Sequence, residues 1–120
     1  MENRGGYFYI LTNNGNNVLY VGSTKDLMKR VMEHRNGYQK GFTYKYNVNR
    51  LIYYEVFDHI ENAKNRERQV KGWTLKKKIE LINLKNAQRN DLLDELAEIL
   101  RFAQDEGLMI KDKYPSEKAV

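Results

Sequence analysis

Apolar side chains run without a break from Tyr7 through Phe8, Tyr9 and Ile10 to Leu11, so both faces of that segment are apolar. This pattern predicts a strand buried on both sides. The cluster Asn13-Asn14-Gly15-Asn16-Asn17 follows, where Gly and Asn tolerate positive φ and favour a turn. Val18 to Val21 reads as the return strand, ended by Gly22. Ser23-Thr24 is expected to cap a helix opening near Lys25 or Asp26, with Asp26 in its first turn. Leu27, Val31 and Met28 form its apolar stripe, and Gly37 is expected to end it. Residues 38–48 mix aromatics, Lys and Gly and read as a loop.

Residues 50–57 are rich in β-branched and aromatic types and predict a third strand. Residues 60–72 are helical in composition, with Ala63, Val70 and Trp73 on or near one stripe. A second helix is expected over 75–84 through Leu75, Ile79 and Ile82, then a polar turn over 83–90. Residues 91–104 are strongly amphipathic through Leu92, Leu93, Leu96, Ile99, Leu100 and Ala103. The order β-β-α-β-α-α-α predicts an α+β domain. We expect a small three-stranded antiparallel sheet flanked by helices, with an extra amphipathic C-terminal helix. The domain is expected over 1–90, with the helix of 91–106 packed on it and a flexible tail over 107–120.

Charge narrows the class of partner. The 120 residues carry a formal net charge of +5, with a mean hydropathy of −0.80. Residues 1–85 hold 16 Lys/Arg against 8 Asp/Glu, whereas residues 86–120 hold 5 against 8. A basic body suits a polyanion, and nucleic acid is the commonest; a solvated Lys-rich surface is the plainer account. No apolar run approaches the length of a membrane span, and no apolar leader opens the chain. The absence of Cys excludes disulfides, zinc–thiolate sites and cysteine nucleophiles. A cytoplasmic location is expected from these features.

Three residue types carry candidate chemistry. Asp26, Arg30 and His34 are spaced four apart and share a helix face. Arg30 either pairs with Asp26 or clamps a phosphate, for which its forked guanidinium is suited. Glu67 lies on the stripe Ala63–Glu67–Val70 and needs a partner. That partner is either Lys71, one turn on, or a hard divalent cation, which one carboxylate plus waters and phosphate can hold. Tyr9 and Tyr20 sit in the hairpin, where aromatics are usually core. As a base on water, a tyrosine with a free pKa of about 10 would be only ~0.1% ionised at pH 7 unless neighbouring cations lowered that value.

The spacing of these residues resembles a known family. "FYI" at 8–10 and "YVG" at 20–22 are similar to the two motifs that name the GIY-YIG nuclease superfamily. Asp26-Leu27-Met28-Lys29-Arg30, then His34, then Ala63 to Glu67 follow its later motifs. "FTYKY", "LIYYE" and "VKGWTLKKKIELI" resemble its single-domain bacterial branch, whose members are labelled excinuclease ABC-like endonucleases. The first motif departs from Gly-Ile-Tyr but keeps Tyr9, and Ser23 stands where the excision-repair enzymes have Lys. A Pro of some relatives is absent from Asn86–Leu92.

The resemblance implies a GIY-YIG nuclease-like domain over 1–90 and a divalent-metal-dependent DNA endonuclease. Glu67 would bind one Mg²⁺ or Mn²⁺, and Arg30 the scissile phosphate. Tyr9 or Tyr20 would activate water, and His34 would support the phosphate or relay a proton. Gly22 would let the backbone turn close to the site. Lys25, Lys29, Arg35, Lys40, Lys45, Lys71, Lys76, Lys77 and Lys78 are candidate nucleic-acid contacts. Cutting is expected to be structure-selective or weakly specific, in DNA repair or recombination. The alternative is a non-catalytic nucleic-acid-binding module of the same fold. A monomer is expected, with a homodimer through residues 91–104 as the other possibility.

Overall fold

The computed structural model describes residues 5–36, 41 and 45–106, with side chains to residue 101. Three strands, β1 (Gly6–Thr12), β2 (Leu19–Thr24) and β3 (Arg50–Phe57), form one antiparallel sheet in the order β2-β1-β3. Four helices complete the described residues: α1 (Leu27–Arg35), α2 (Ile60–Lys71), α3 (Leu75–Asn86) and α4 (Leu93–Glu106). The molecule is an α+β domain with a three-stranded antiparallel sheet and flanking helices, as the apolar pattern predicts. Expectations placed on Gly37, on the tail of 107–120 and on most of 38–44 lie outside the described residues.

The uninterrupted apolar run of β1 has its cause in the topology, because β1 is the central strand and carries a helical layer on each face. Phe8 and Ile10 pack with Val70 of α2 and with Leu81 and Ile82 of α3. Tyr9 and Leu11 pack on the other face with Leu27 and Val31 of α1 and Leu96 of α4. All four β1 side chains are fully buried. Burying one such side chain contributes about 1.5–3 kcal/mol, so this strand anchors both layers. Gly6 lets α2 sit directly on the sheet. A Cβ there would lie 2.6 Å from the Ile60 Cα.

Local details correct the expected boundaries. β2 continues through Ser23 and Thr24, so these residues do not cap α1. Asp26 is the N-cap, its carboxylate accepting from the Lys29 N–H at 3.1 Å. Its short side chain thus satisfies a backbone donor that has no partner within the helix. α3 runs to Asn86 rather than stopping near residue 84. Asn86 is buried and donates to the Ile52 carbonyl at 2.9 Å and to the Asn90 carbonyl at 2.8 Å, which seals part of the outer edge of β3. The Leu92 N–H continues that seal by donating to the Leu51 carbonyl at 2.7 Å. Leu75 is exposed at the start of α3 and does not join the core. In α4 only Leu96 is buried, while Ile99 and Leu100 are exposed.

Candidate active site

The site gathers at β2, an outer strand of the sheet. Tyr9 of β1 is the cross-strand partner of Gly22. Because residue 22 has no side chain, the Tyr9 ring extends over β2. A Cβ at Gly22 would stand 2.6 Å from the Tyr9 hydroxyl and 2.7 Å from Cζ. The role of Gly22 is therefore a close approach of an aromatic ring.

From there the rings form a chain. Tyr9 and Tyr20 have centroids 6.3 Å apart, and Tyr20 and the His34 imidazole are 5.7 Å apart. Tyr20 is half-buried, whereas Tyr9 is fully buried and His34 nearly so. Arg30 lies one turn before His34 on α1. Its guanidinium faces the Tyr9 hydroxyl electrostatically, but that hydroxyl makes no hydrogen bond of standard geometry. Burial and then the neighbouring Tyr20 push the Tyr9 hydroxyl up to about 12, while the Arg30 charge opposes them. Burial first, and the Arg30 charge second, hold the His34 imidazole below its ordinary value.

Arg30 does not pair with Asp26, which is taken up by the helix cap. Its Nε lies 3.4 Å from Glu33 Oε1. That spacing is i,i+3 on a surface helix, a weak contact that leaves the guanidinium available to a stronger anion.

Glu67 enters from the other side of the sheet. Ala63 and Val70, both fully buried, fix the stripe of α2 on which it lies. Ser23, on β2 opposite Phe8, donates its hydroxyl to Glu67 Oε1 at 2.5 Å. Lys71 Nζ is 2.7 Å from Oε2. The position that carries Lys in the excision-repair enzymes thus holds a serine bound to the carboxylate, and the cation comes from α2 instead. Tyr9 and Glu67 are also within electrostatic range of each other, which ties the two halves of the site together around β2.

An open groove of about 380 Å³ adjoins this cluster between α1 and the first half of α2. Lys25, Lys29, Arg30 and Lys64 line it, against Asp26 and Glu33. Lys64 was not singled out from the sequence. Its signal was available in its position three residues before Glu67 on the same helix.

The remaining cations named from the sequence lie elsewhere. Arg35 donates to the Asn49 carbonyl at 3.0 Å and pairs with Asp91, so it ties α1 to the segment before α4. Lys45 lies over Tyr46 and Lys77 over Trp73. Lys76 and Lys78 sit on α3, away from the groove lining, and Lys40 lies outside the described residues. A cluster on the far sheet face was also not read from sequence. There Tyr53 donates to Glu55 at 2.6 Å, and Arg66 binds Glu55 while stacking between Phe8 and Trp73.

The donor set bears on a metal ion. Among the described residues no group of three or more His, Cys, Asp or Glu converges. A site here would be anchored on Glu67 alone. This suits a hard cation that keeps most of its waters and shares a substrate phosphate, since each Glu67 oxygen retains a lone pair beyond its present contact.

Residues 5–80 match the profile of the GIY-YIG catalytic domain. The chain belongs to the GIY-YIG family. Its relatives there are UPF0213 proteins. One from Bacillus pumilus is 38% identical over 78 residues, covering 65% of this chain and 79% of that one. Another from Clostridium perfringens is 32% identical over 90 residues, covering 75% and 96%. A solution structure of a UPF0213 protein from Bacillus halodurans is similar at 30% identity, covering 70% and 88%, with a TM-score of 0.47. No helix among the described residues is long and apolar enough to cross a membrane.

Proposed function

We propose that this chain is a divalent-metal-dependent endonuclease that hydrolyses phosphodiester bonds in DNA in the cytoplasm, with Mg²⁺ or Mn²⁺ as its cation. The observation that carries this reading is the meeting of Tyr9, Tyr20, Arg30, His34 and Glu67, from four separate elements, around the side-chain-free position at Gly22. A core packed for stability alone has no need to assemble a cation, a carboxylate and two phenols at one sheet edge.

Roles follow from exposure and charge. Arg30, on the groove, binds the scissile phosphate and stabilises the charge that grows on it. Tyr20 is half-exposed and is the phenol that reaches the attacking water. Tyr9 is buried, so it positions Tyr20 and Arg30 rather than touching substrate. His34, kept neutral near pH 7, is a proton acceptor beside Tyr20. Glu67 would hold the cation, which when bound supplies Lewis-acid polarisation of the phosphate and leaving oxygen. Lys25, Lys29 and Lys64 hold neighbouring phosphates along the groove. So small a surface carries few base-reading elements, so cutting is structure-selective or weakly specific, as repair or recombination requires.

One observation favours a non-catalytic binding module. Both Glu67 oxygens are already engaged, by Ser23 and Lys71. End-labelled branched and duplex DNA, incubated with the full chain and Mg²⁺ or EDTA, separates the readings. Metal-dependent shorter products support the nuclease. Retarded but intact DNA under every condition supports the module.

A further inference from the structure

Glu67 and Lys71 are i,i+4 on α2, so the helix itself presents the ammonium to the carboxylate. The contact is 2.7 Å, to the oxygen that Ser23 leaves open. The Lys71 side chain is 54% exposed, so it can swing into solvent without unpacking anything. It also lies within electrostatic range of Tyr20, so a displaced ammonium stays inside the site. Ser23 differs from it. Its hydroxyl is neutral and held by β2, so it orients the carboxylate without competing for a cation.

We propose that Lys71 is a built-in competitor for the cation position on Glu67: its ammonium holds the carboxylate until a divalent cation displaces it, and it then turns to a substrate phosphate oxygen beside Tyr20. The proposal rests on the reading that Glu67 holds the cation. Its consequence is an exchange of like charge. The site stays balanced when empty of metal, the apparent cation affinity is weakened by the pair that must break, and DNA favours the exchange by giving the released ammonium a new partner.

The test uses the full chain, labelled with ¹⁵N and titrated with MnCl₂. The readout is paramagnetic broadening of the Ser23 and Glu67 amides, compared among wild type, Lys71→Met, Lys64→Met and Glu67→Gln. An exposed-pair energy predicts that Lys71→Met lowers the half-broadening concentration roughly five-fold. Lys64→Met, which removes a charge without touching Glu67, should move it by less than about two-fold in physiological salt. Equal shifts in both lysine variants, or no tightening in Lys71→Met while Glu67→Gln abolishes the effect, would overturn the competitor and leave the cation reading standing. Site-specific broadening that survives in Glu67→Gln would overturn both. Lys71→Gln repeats the measurement if the methionine variant disturbs amides beyond α2.

Discussion

The Tyr9 hydroxyl occupies the space in which a side chain at residue 22 would begin, 2.6 Å from the position of a Gly22 Cβ. A fully buried phenol on the central strand is thereby brought over the outer strand, where Tyr20, Arg30 and Glu67 gather. Packing and chemistry meet in this one contact, so the two can be perturbed separately.

Gly22→Ala forces the Tyr9 ring to move. Overpacking of this kind costs about 1–3 kcal/mol, which urea unfolding would register as a lower midpoint at unchanged slope. Cleavage should fall further than stability does, since Arg30 and Tyr20 lose their support. An unchanged midpoint would mean that Tyr9 is not held as described.

Removing the Tyr9 hydroxyl should act in the opposite sense on stability. It is buried and has no hydrogen bond of standard geometry. Tyr9→Phe is therefore expected to leave stability unchanged or raise it by up to ~1 kcal/mol. Cleavage should drop about tenfold, as for other positioning groups. Tyr20→Phe, which removes the phenol placed on the water, should lose about 10²-fold or more in single-turnover rate. A larger loss in Tyr9→Phe than in Tyr20→Phe would reverse the roles assigned to the two rings.

These contrasts bear on what could be read before the fold was known. The strand of residues 50–57 was legible to its ends, because β-branched and aromatic residues crowd it and Asp58 follows. Lys71 was legible as a partner of Glu67, because i,i+4 spacing is a property of one helix. The Ser23 bond to Glu67 was not, since it joins β2 to α2 across 44 residues. Asp26 misled for a local reason. β2 runs two residues longer than its apolar pattern, which moves Asp26 from the helix face to the cap and frees Arg30 from it. The different burial of Tyr9 and Tyr20 depends on which strand is central, and strand order is not written in period-two alternation.

His34 gives a pH signature. Its folded-state pKa is depressed, by burial first and by the Arg30 charge second. The neutral form is thus favoured in the native state. The stability this contributes is present above pH ~6.5 and is lost as pH falls through the folded value. Urea midpoints should decline on acidification from pH 7 to 5, and His34→Gln should flatten part of that slope. A native-state titration of the His34 ring with a midpoint above 6.5 would contradict this.

Arg66 tests the opposite face. Its guanidinium binds Glu55 at 2.9 Å and lies between Phe8 and Trp73, with both charged side chains under a quarter exposed. Arg66→Ala strands Glu55 and should destabilise by about 2 kcal/mol. DNA cleavage by the folded fraction should be retained, since none of these groups borders the groove. Loss of cleavage at full folding would extend the site through the sheet.

The central claim is that Glu67 anchors a metal-dependent hydrolytic site. Supercoiled plasmid incubated with the full chain and its Glu67→Ala variant, in Mg²⁺, Mn²⁺ or EDTA, tests it most directly. The account predicts conversion to the open circle by wild type with metal, none in EDTA, and none by Glu67→Ala while plasmid retardation persists. Nicking that survives in the variant, or that never occurs with wild type under either metal, would contradict it.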